Sequence, residues 1–206
     1  MELALLLPFE VAGQVVWDGD PPGGEPHPAA LRFEPVRSND QSPKSRIEAG
    51  GAFRIAEVDA DRYRVVLEGM PGNVYVKSLR LGPAEMPDRI LDVRYGTGGA
   101  PLTVTLSAAG AQISGVVQDS KGPLADVPVA LVNDAPEGFT LFLNARTGAD
   151  GSYSFRGLAP GAYRVFVFDS EEAGGLNRSG SLGAYEQAAE KVAVAEGDKV
   201  TRDLKL

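Results

Sequence analysis

The sequence has no cysteine and a single histidine, His27, among its 206 residues. Without cysteine, the chain has no disulfide and no thiolate to act as nucleophile or metal ligand. A zinc site built from several histidines is excluded, and a Ser-His-Asp arrangement would depend on His27 alone. His27 lies between two prolines, so we interpret it as an exposed loop residue. We therefore predict no catalytic, cofactor-binding or metal-ligating residue, and no enzyme.

Positive charge is also scarce. Twenty Lys and Arg stand against 28 Asp and Glu, which gives a net charge of -8 and a pI near 4.8. A nucleic-acid-binding protein usually shows a basic stripe, and an anionic membrane surface attracts basic segments. Neither is predicted as a partner. No apolar run approaches the roughly 18 residues that a membrane span needs, so no membrane insertion of this segment is predicted.

The sequence lacks the usual signatures of processing and of phosphate or ester chemistry. The opening residues 1–7 have no basic region and no small-residue cleavage site, so we expect no signal peptide in this chain. No nucleophile elbow, Walker loop or dinucleotide fingerprint occurs.

Acidic residues cluster after two strands, at Asp18 and Asp20 and again at Asp169, Glu171 and Glu172. Calcium binding is one reading, but the EF-hand spacing is absent, and a solvated acidic rim is favoured.

The most informative stretch that is present runs from residue 150 to 168, DGSYSFRGLAPGAYRVFVF. Asp150-Gly151 and Pro160-Gly161 are turn signals, and we expect Gly161 to take the left-handed position. Between and after these turns, apolar residues alternate with others at period two, which is typical of strands with one buried face. The stretch predicts a hairpin with Tyr163 on its inner face.

The same stretch occurs about one hundred residues earlier. Residues 50–66, GGAFRIAEVDADRYRVV, align without a gap with residues 150–166, and Tyr63 corresponds to Tyr163. The pattern of Val11, Gly13 and Val15 also returns in residues 113–117. Matches at the start, middle and end of each half indicate an internal duplication. We predict two domains, residues 1–108 and 109–206, each of a common domain size.

The spacing of the elements indicates the fold class. Short strands are separated by turns, in keeping with 25 glycines and 15 prolines, and helical periodicity is almost absent. The sequence therefore predicts an all-β protein of two tandem antiparallel Greek-key sandwiches with little helix. Residues 37–46 are expected to form a surface loop in which Lys44 and Arg46 are solvated. Residues 184–191, AYEQAAEK, are good helix formers and are expected to form one or two turns.

The second copy resembles the carboxypeptidase regulatory-like domain, a transthyretin-like β-sandwich. The resemblance rests on a G-x-V in its first strand, on KGPLADVPVAL at 121–131, and on DGSYSFRGLAPGAYRV at 150–165. The first copy is degenerate, because Glu57 and Ala60-Asp61 replace Gly157 and Pro160-Gly161. The tail is also similar to C-terminal modules of acidobacterial surface proteins. The resemblance implies a non-catalytic accessory domain, with a location outside a bacterial cell or in its envelope.

One difference between the copies suggests an interaction surface. If Tyr163 points inward, then Phe166 and Phe168 point away from the core, where exposed aromatics would mark a contact surface. Tyr185 is added to this predicted surface. For the two phenylalanines we favour cover by the neighbouring domain or by residues 184–191, and the interaction surface is the alternative. Four aromatics are also potential sugar-stacking platforms, although we expect each of them at the core or its edge: Trp17, Tyr75, Tyr95 and Tyr185.

These observations lead to two function hypotheses. The first is a non-enzymatic envelope or secreted module that acts as a structural spacer or as a protein-interaction or adhesion pair within a larger protein. The second is a carbohydrate-binding accessory module that uses exposed aromatics. Both predict a protein or glycan partner at the cell surface and no cofactor.

Overall fold

The computed structural model describes residues 7–21, 28–36, 42–70, 72–86, 89–133, 142–167 and 189–206. In these ranges the secondary structure consists of strands and turns, so the all-β prediction is confirmed. The chain divides into two compact units, the first ending at Ala108 and the second beginning at Ala109. None of the described residues belongs to a helix long and apolar enough to cross a membrane.

The first unit is a sandwich of two sheets. Its strands are β1 (Phe9–Trp17), β2 (Ala30–Pro35), β3 (Lys44–Arg46), β4 (Ala52–Val58), β5 (Arg62–Glu68), β6 (Tyr75–Leu81), β7 (Ala84–Glu85), β8 (Ile90–Asp92) and β9 (Leu102–Ser107). One sheet has the order β4-β1-β9-β6-β7 and the other has the order β3-β2-β5-β8.

The second unit repeats this arrangement. Its strands are β10 (Ala111–Asp119), β11 (Gly122–Pro123), β12 (Pro128–Asn133), β13 (Phe142–Arg146), β14 (Ser152–Leu158), β15 (Gly161–Val167), β16 (Glu190–Val194), β17 (Lys199–Thr201) and β18 (Leu204–Lys205). One sheet is centred on β10, which pairs with β11, β14, β17 and β18; the other has the order β13-β12-β15-β16.

Each unit has its own apolar core, formed by alternate residues of the two facing sheets. Complete burial of a large aliphatic or aromatic side chain contributes about 1.5–3 kcal/mol, so these cores are the main stabilising term. Tyr63 and Tyr163 are each only 3% exposed. Their hydroxyls donate to the backbone oxygens of Asp59, at 3.1 Å, and Ala159, at 2.7 Å. The predicted inward tyrosine of each hairpin is thus confirmed.

The first and last strands of each unit pair in parallel, which the sequence pattern did not predict. β1 pairs with β9, and β10 pairs with β17 and β18. A glycine lies where these strands meet. A Cβ on Gly13 would lie 2.1 Å from the backbone oxygen of Leu102, and a Cβ on Gly115 would lie 1.8 Å from that of Arg202. Only glycine fits at these two positions.

A β-bulge lies opposite the first strand in both units. The pairing register shifts between Phe9 and Val11 in the first unit and between Ala111 and Ile113 in the second. The bulged residue of β14 is Gly157, with φ 65°, and the corresponding residue of β4 is Glu57, with φ 55°. Left-handed backbone suits glycine but is strained for a residue with a Cβ. The first unit therefore keeps the bulge at an energetic cost.

Three local expectations were wrong. The end of the predicted 37–46 loop is strand β3, which pairs with β2. The end of the predicted helix at 184–191 belongs to strand β16, which pairs with β15; residues 184–188 lie outside the described residues. Gly161 has φ 154°, outside the left-handed helical region. In each case the strand partner, which is distant in sequence, overrides the local preference.

We expect Gly115→Ala to destabilise the second unit by about 3 kcal/mol or more, because its methyl group would overlap a backbone oxygen that cannot rotate away. Urea unfolding measures the change. Gly72→Ala is the matched control, since its Cβ would meet nothing within 4 Å and its φ is not positive. Equal stability of the two variants would contradict the close approach.

Glu57→Gly should stabilise the first unit by roughly 0.5 kcal/mol, because relief of the left-handed strain exceeds the entropic cost of a glycine. Gly157→Ala makes the reverse change at the matching position and should destabilise the second unit by about 1 kcal/mol. Both are measured by urea unfolding. A loss of stability in Glu57→Gly would show that the glutamate side chain stabilises the bulge more than its backbone strains it.

Candidate functional site

The predicted aromatic surface is only partly described. Phe166 lies on β15 opposite Ala130 and faces away from the core, as predicted. It is 1% exposed, so its side chain is covered, in keeping with the favoured reading, and it is not part of an exposed aromatic row. Phe168 and Tyr185 lie outside the described residues. Ala130 and Val132 on the same face are equally buried, so Phe166 belongs to a covered apolar patch. A role of Phe166 in an interaction stays a prediction.

The other three aromatics lie in different environments. Tyr75 is 4% exposed, and Trp17 packs partly buried against the first core, as expected. Tyr95 is 89% exposed, so its predicted place at the core edge was wrong. It lies in the turn after β8, where the chain has left the sheet. A single exposed ring is not the row of aromatics that the carbohydrate hypothesis assumed.

The described residues contain no group of three or more His, Asp or Glu side chains placed to hold a metal ion. Asp18 forms an ion pair with Lys77 rather than an open carboxylate site. The candidates His27, Asp169, Glu171 and Glu172 lie outside the described residues. The prediction that the chain uses no metal and no catalytic residue stays a prediction.

The buried hydroxyl of Tyr153 has a structural partner. It donates to the backbone oxygen of Arg202, at 2.6 Å, in the segment between β17 and β18. Burial, helped by the negative charge of Asp203, raises the pKa of Tyr153 above its ordinary value. A phenol that is protonated, buried and hydrogen-bonded is a poor base or nucleophile. The group holds the last strand against the β14 hairpin.

A mixed groove of about 810 Å³ opens beside β3 and the bulge of β4. Its walls combine apolar side chains with one cation and two carboxylates: Leu7, Pro8, Ser42, Pro43, Lys44, Ala56, Glu57 and Asp59. The strained residue Glu57 is one of them. No hydrogen bond or ion pair joins its carboxylates to Lys44 among the described residues, so the groove shows no assembled catalytic pair.

The most distinctive charged feature is the outward face of the β3-β2-β5-β8 sheet. Arg32 Nη1 lies 2.6 Å from Glu34 Oε1, and Arg32 Nε donates to Glu68 Oε1 at 3.1 Å. Arg94 Nη2 lies 2.6 Å from Asp92 Oδ2, and this hydrogen bond lowers the pKa of the Asp92 carboxyl below its ordinary value. We call this set of outward-facing charges the arginine face; its basic members are Arg32, Lys44, Arg46, Arg62, Arg64 and Arg94.

Sequence reasoning missed this face, although its pattern is visible. Arg32 and Glu34 are two residues apart, as are Arg62 and Arg64, so each pair lies on one side of a strand. The pairing of β2 with β5 and of β5 with β8 then places the pairs side by side. Along any one strand these charges alternate with core residues and look like an ordinary solvated face, so the grouping is visible only once the strand neighbours are known.

Comparison with known proteins gives a family for part of the chain. Residues 112–206 match the model of the carboxypeptidase regulatory-like domain, which confirms the resemblance for this region. No curated protein matches the sequence.

Three solved structures resemble the chain, and two of them are pilins by their titles. The minor pilin GBS52 of Streptococcus agalactiae has 12% identity and a TM-score of 0.36; the match covers 96% of this chain and 94% of that chain. The shaft pilin SpaA of Lactobacillus rhamnosus GG has 11% identity and a TM-score of 0.36; the match covers 96% of each chain. The TIE protein of Bacillus anthracis has 12% identity and a TM-score of 0.35; the match covers 97% of this chain and only 34% of that chain.

Alkaline pH tests the role of Tyr153. The pKa of Tyr153 is higher in the folded state than in the unfolded chain, where a tyrosine has a pKa of about 10. The group therefore stabilises the fold fully below pH 10, and this contribution is lost as pH rises above 10. We expect the unfolding free energy to fall as pH rises above 10, with a contribution from this group of about 1 kcal/mol between pH 10 and 11, and Tyr153→Phe to lack that contribution.

The control for this measurement is Tyr95→Phe, which removes one phenol from the surface. Its stability should fall with rising pH as steeply as that of the unchanged protein. A Tyr153→Phe variant with the same alkaline slope as the control would contradict a buried, protonated Tyr153.

Proposed function

We propose that the chain is a non-enzymatic module of a secreted or cell-envelope protein, which acts as a structural spacer or as a protein-interaction or adhesion pair within a larger polypeptide. One observation carries this proposal: the two units share their interior and differ on one sheet face. Tyr63 matches Tyr163 and Gly13 matches Gly115 in burial and in contacts. An invariant scaffold with variable faces is typical of modules that hold or contact other proteins.

The register makes the difference between the faces specific. When the two units are aligned by the pairing of β5 with β2 and of β15 with β12, Arg32 and Glu34 of β2 correspond to Ala130 and Val132 of β12. Arg62 and Asp92 correspond in the same way to Ala162 and Ala193. These ion-paired positions of the first unit are therefore taken by small and apolar residues in the second, although Arg46 and Arg64 are matched there by Arg146 and Arg164. Since the cores do not require this change, it supports separate contacts for the two faces.

The resemblance of residues 112–206 to a domain that accompanies enzymes without being catalytic supports the non-enzymatic role. The exposed ring of Tyr95 is the only large aromatic among the described residues that is mostly open to solvent. Sugar-binding surfaces combine aromatic platforms with polar groups, so a single ring favours the protein-contact role over the carbohydrate-binding alternative.

Affinity electrophoresis in gels that contain soluble glycans separates the two roles. The proposal predicts no retardation by neutral glycans, and a melting temperature that is unchanged by chelator or by added calcium. Leu7→Ala, which removes a residue that is 82% exposed, controls for nonspecific apolar retention. Saturable retardation that is lost in Tyr95→Ala or Tyr185→Ala, with melting unchanged, would overturn the proposal and establish the carbohydrate-binding function.

A further inference from the structure

The last strands of the two units have different neighbours. In the first unit, β9 lies between β1 and β6. In the second unit, β17 and β18 pair with β10 and with no other strand among the described residues. The two units match in register here, because Val15 pairs with Val104 and Val117 pairs with Leu204. The second unit therefore has no described counterpart of β6 beside its last strand.

The sequence of the second copy also lacks the pattern of β6. Residues 74–81 read VYVKSLRL and contain apolar residues at alternate positions. Residues 174–181, at the same offset of 100 that joins the hairpins, read GGLNRSGS, with three glycines and one leucine. A strand with one buried face needs apolar residues at every second position. A strand with the pattern of β6 is therefore expected from another polypeptide.

The backbone of β17 and β18 has hydrogen-bonding groups on the side away from β10. Arg202 N donates to Ser114 O at 2.7 Å, and Leu206 N donates to Gln118 O at 3.2 Å, so the even-numbered residues face β10. The odd-numbered residues between them direct their N–H and C=O groups to the opposite side: Thr201, Asp203 and Lys205. We call this side of residues 199–205 the outer edge. Unpaired backbone groups at an edge are a template for a further strand.

The outer edge keeps almost all of these groups accessible. Among the described residues, the one partner of its backbone is the side chain of Arg202, which donates to Thr201 O at 3.2 Å. Leu206 is 57% exposed, whereas its counterpart Leu106 is 0% exposed and pairs with Val76 of β6. A strand beside β18 would bury this apolar surface in addition to forming backbone hydrogen bonds.

Strand β6 shows which kind of segment fits beside such an edge. Its residue Leu79 lies opposite Val104 and is 1% exposed in the first core. The backbone oxygen of Leu79 accepts from Met86 N at 2.8 Å, so its backbone faces β7. The backbones of Ser78 and Arg80 therefore face β9. The fitting segment is antiparallel and extended, with apolar side chains directed to the core between residues whose backbones pair with the edge.

A second copy of the same edge fits poorly. Antiparallel pairing of residues 199–205 with themselves in full overlap would set Arg202 opposite Arg202 and Lys199 opposite Lys205. Like charges directly opposite each other destabilise a strand pair, and lysines on an edge oppose pairing between copies. The charges of the outer edge therefore favour a different polypeptide as its partner.

We propose that the outer edge of the second unit accepts an extended strand of a partner protein, which pairs antiparallel with β17 and β18. The inference deepens the proposed interaction role and rests on it, because it names the mode of contact and the pattern of the partner segment. The first unit does not share the site, since β6 lies beside its last strand. In this mode of recognition, backbone hydrogen bonds give affinity and alternate side chains give specificity.

Fluorescence anisotropy tests the proposal with a labelled peptide of the sequence VYVKSLRLG, which is that of residues 74–82. We expect saturable binding. N-methylation of the peptide at the positions of Ser78 and Arg80 should weaken binding by about tenfold or more, because it removes two donors to the edge. N-methylation at the positions of Leu79 and Leu81 is the matched control and should keep the affinity within about threefold. Equal loss in both methylated peptides would overturn strand pairing.

A proline at the outer edge tests the same contact from the side of the protein. Lys205→Pro removes one outward N–H at a position where an edge strand tolerates proline, and should weaken peptide binding by about fivefold or more. Lys205→Ala removes the same charged side chain but keeps the N–H, so its affinity should stay within about twofold of the unchanged protein. Equal affinities of the two variants would overturn the assigned edge.

Two further measurements separate the partner strand from other occupants. Slow hydrogen exchange at the amides of Thr201, Asp203 and Lys205 before peptide is added would overturn the proposal, because the chain itself would then cover the edge. A dimer in sedimentation that dissociates in Lys205→Pro would overturn it in favour of a second copy. Fast exchange that slows on addition of peptide, in a monomer, would support it. Each failure leaves the glycan-gel and melting tests of the module itself unaffected.

Discussion

The close parallel pairing of the first and last strands is the constraint on which each unit depends. Gly13 and Gly115 allow the last strand to approach so closely that any Cβ would overlap a backbone oxygen. This contact places β9 in the middle of its sheet, and in the second unit it places β17 and β18 beside β10, on the first strand of the repeat. Each unit is closed by the pairing of its first and last strands, so residues from both ends of the repeat contribute to its core.

The interior of the repeat tolerates little change, and its surface tolerates much. In both units a tyrosine hydroxyl is satisfied by a carbonyl four residues earlier, and a bulge shifts the register at the same place. On the outward face of the hairpin sheet, Arg32, Glu34 and Arg62 are matched by Ala130, Val132 and Ala162, because nothing in the core depends on these positions. A scaffold of this kind allows two copies to acquire different contacts while they keep one fold.

The duplication, the hairpins and the inward tyrosines could be predicted from sequence because period two and turn residues are local signals. Strand β3 was taken for a loop because three polar residues become a strand only by pairing with β2. Tyr95 was placed at the core edge because an aromatic near a strand end is usually buried there, yet the chain turns outward at that point. The burial of Phe166 could not be derived from its strand alone, because a period-two pattern shows on which side of the sheet a residue lies and not what covers that side.

The amino-acid sequence by itself determined the fold class, the twofold repetition and the side chains that fill each core, since burial of alternate apolar residues follows from the geometry of a single strand. Only the tertiary structure decided the parallel closure of each sandwich and the grouping of six cations on one face of an acidic protein. These features depend on which strands become neighbours and in which register. Strand neighbours and register are determined by contacts between residues distant in sequence. The charges along any one strand, taken alone, look like an ordinary solvated face.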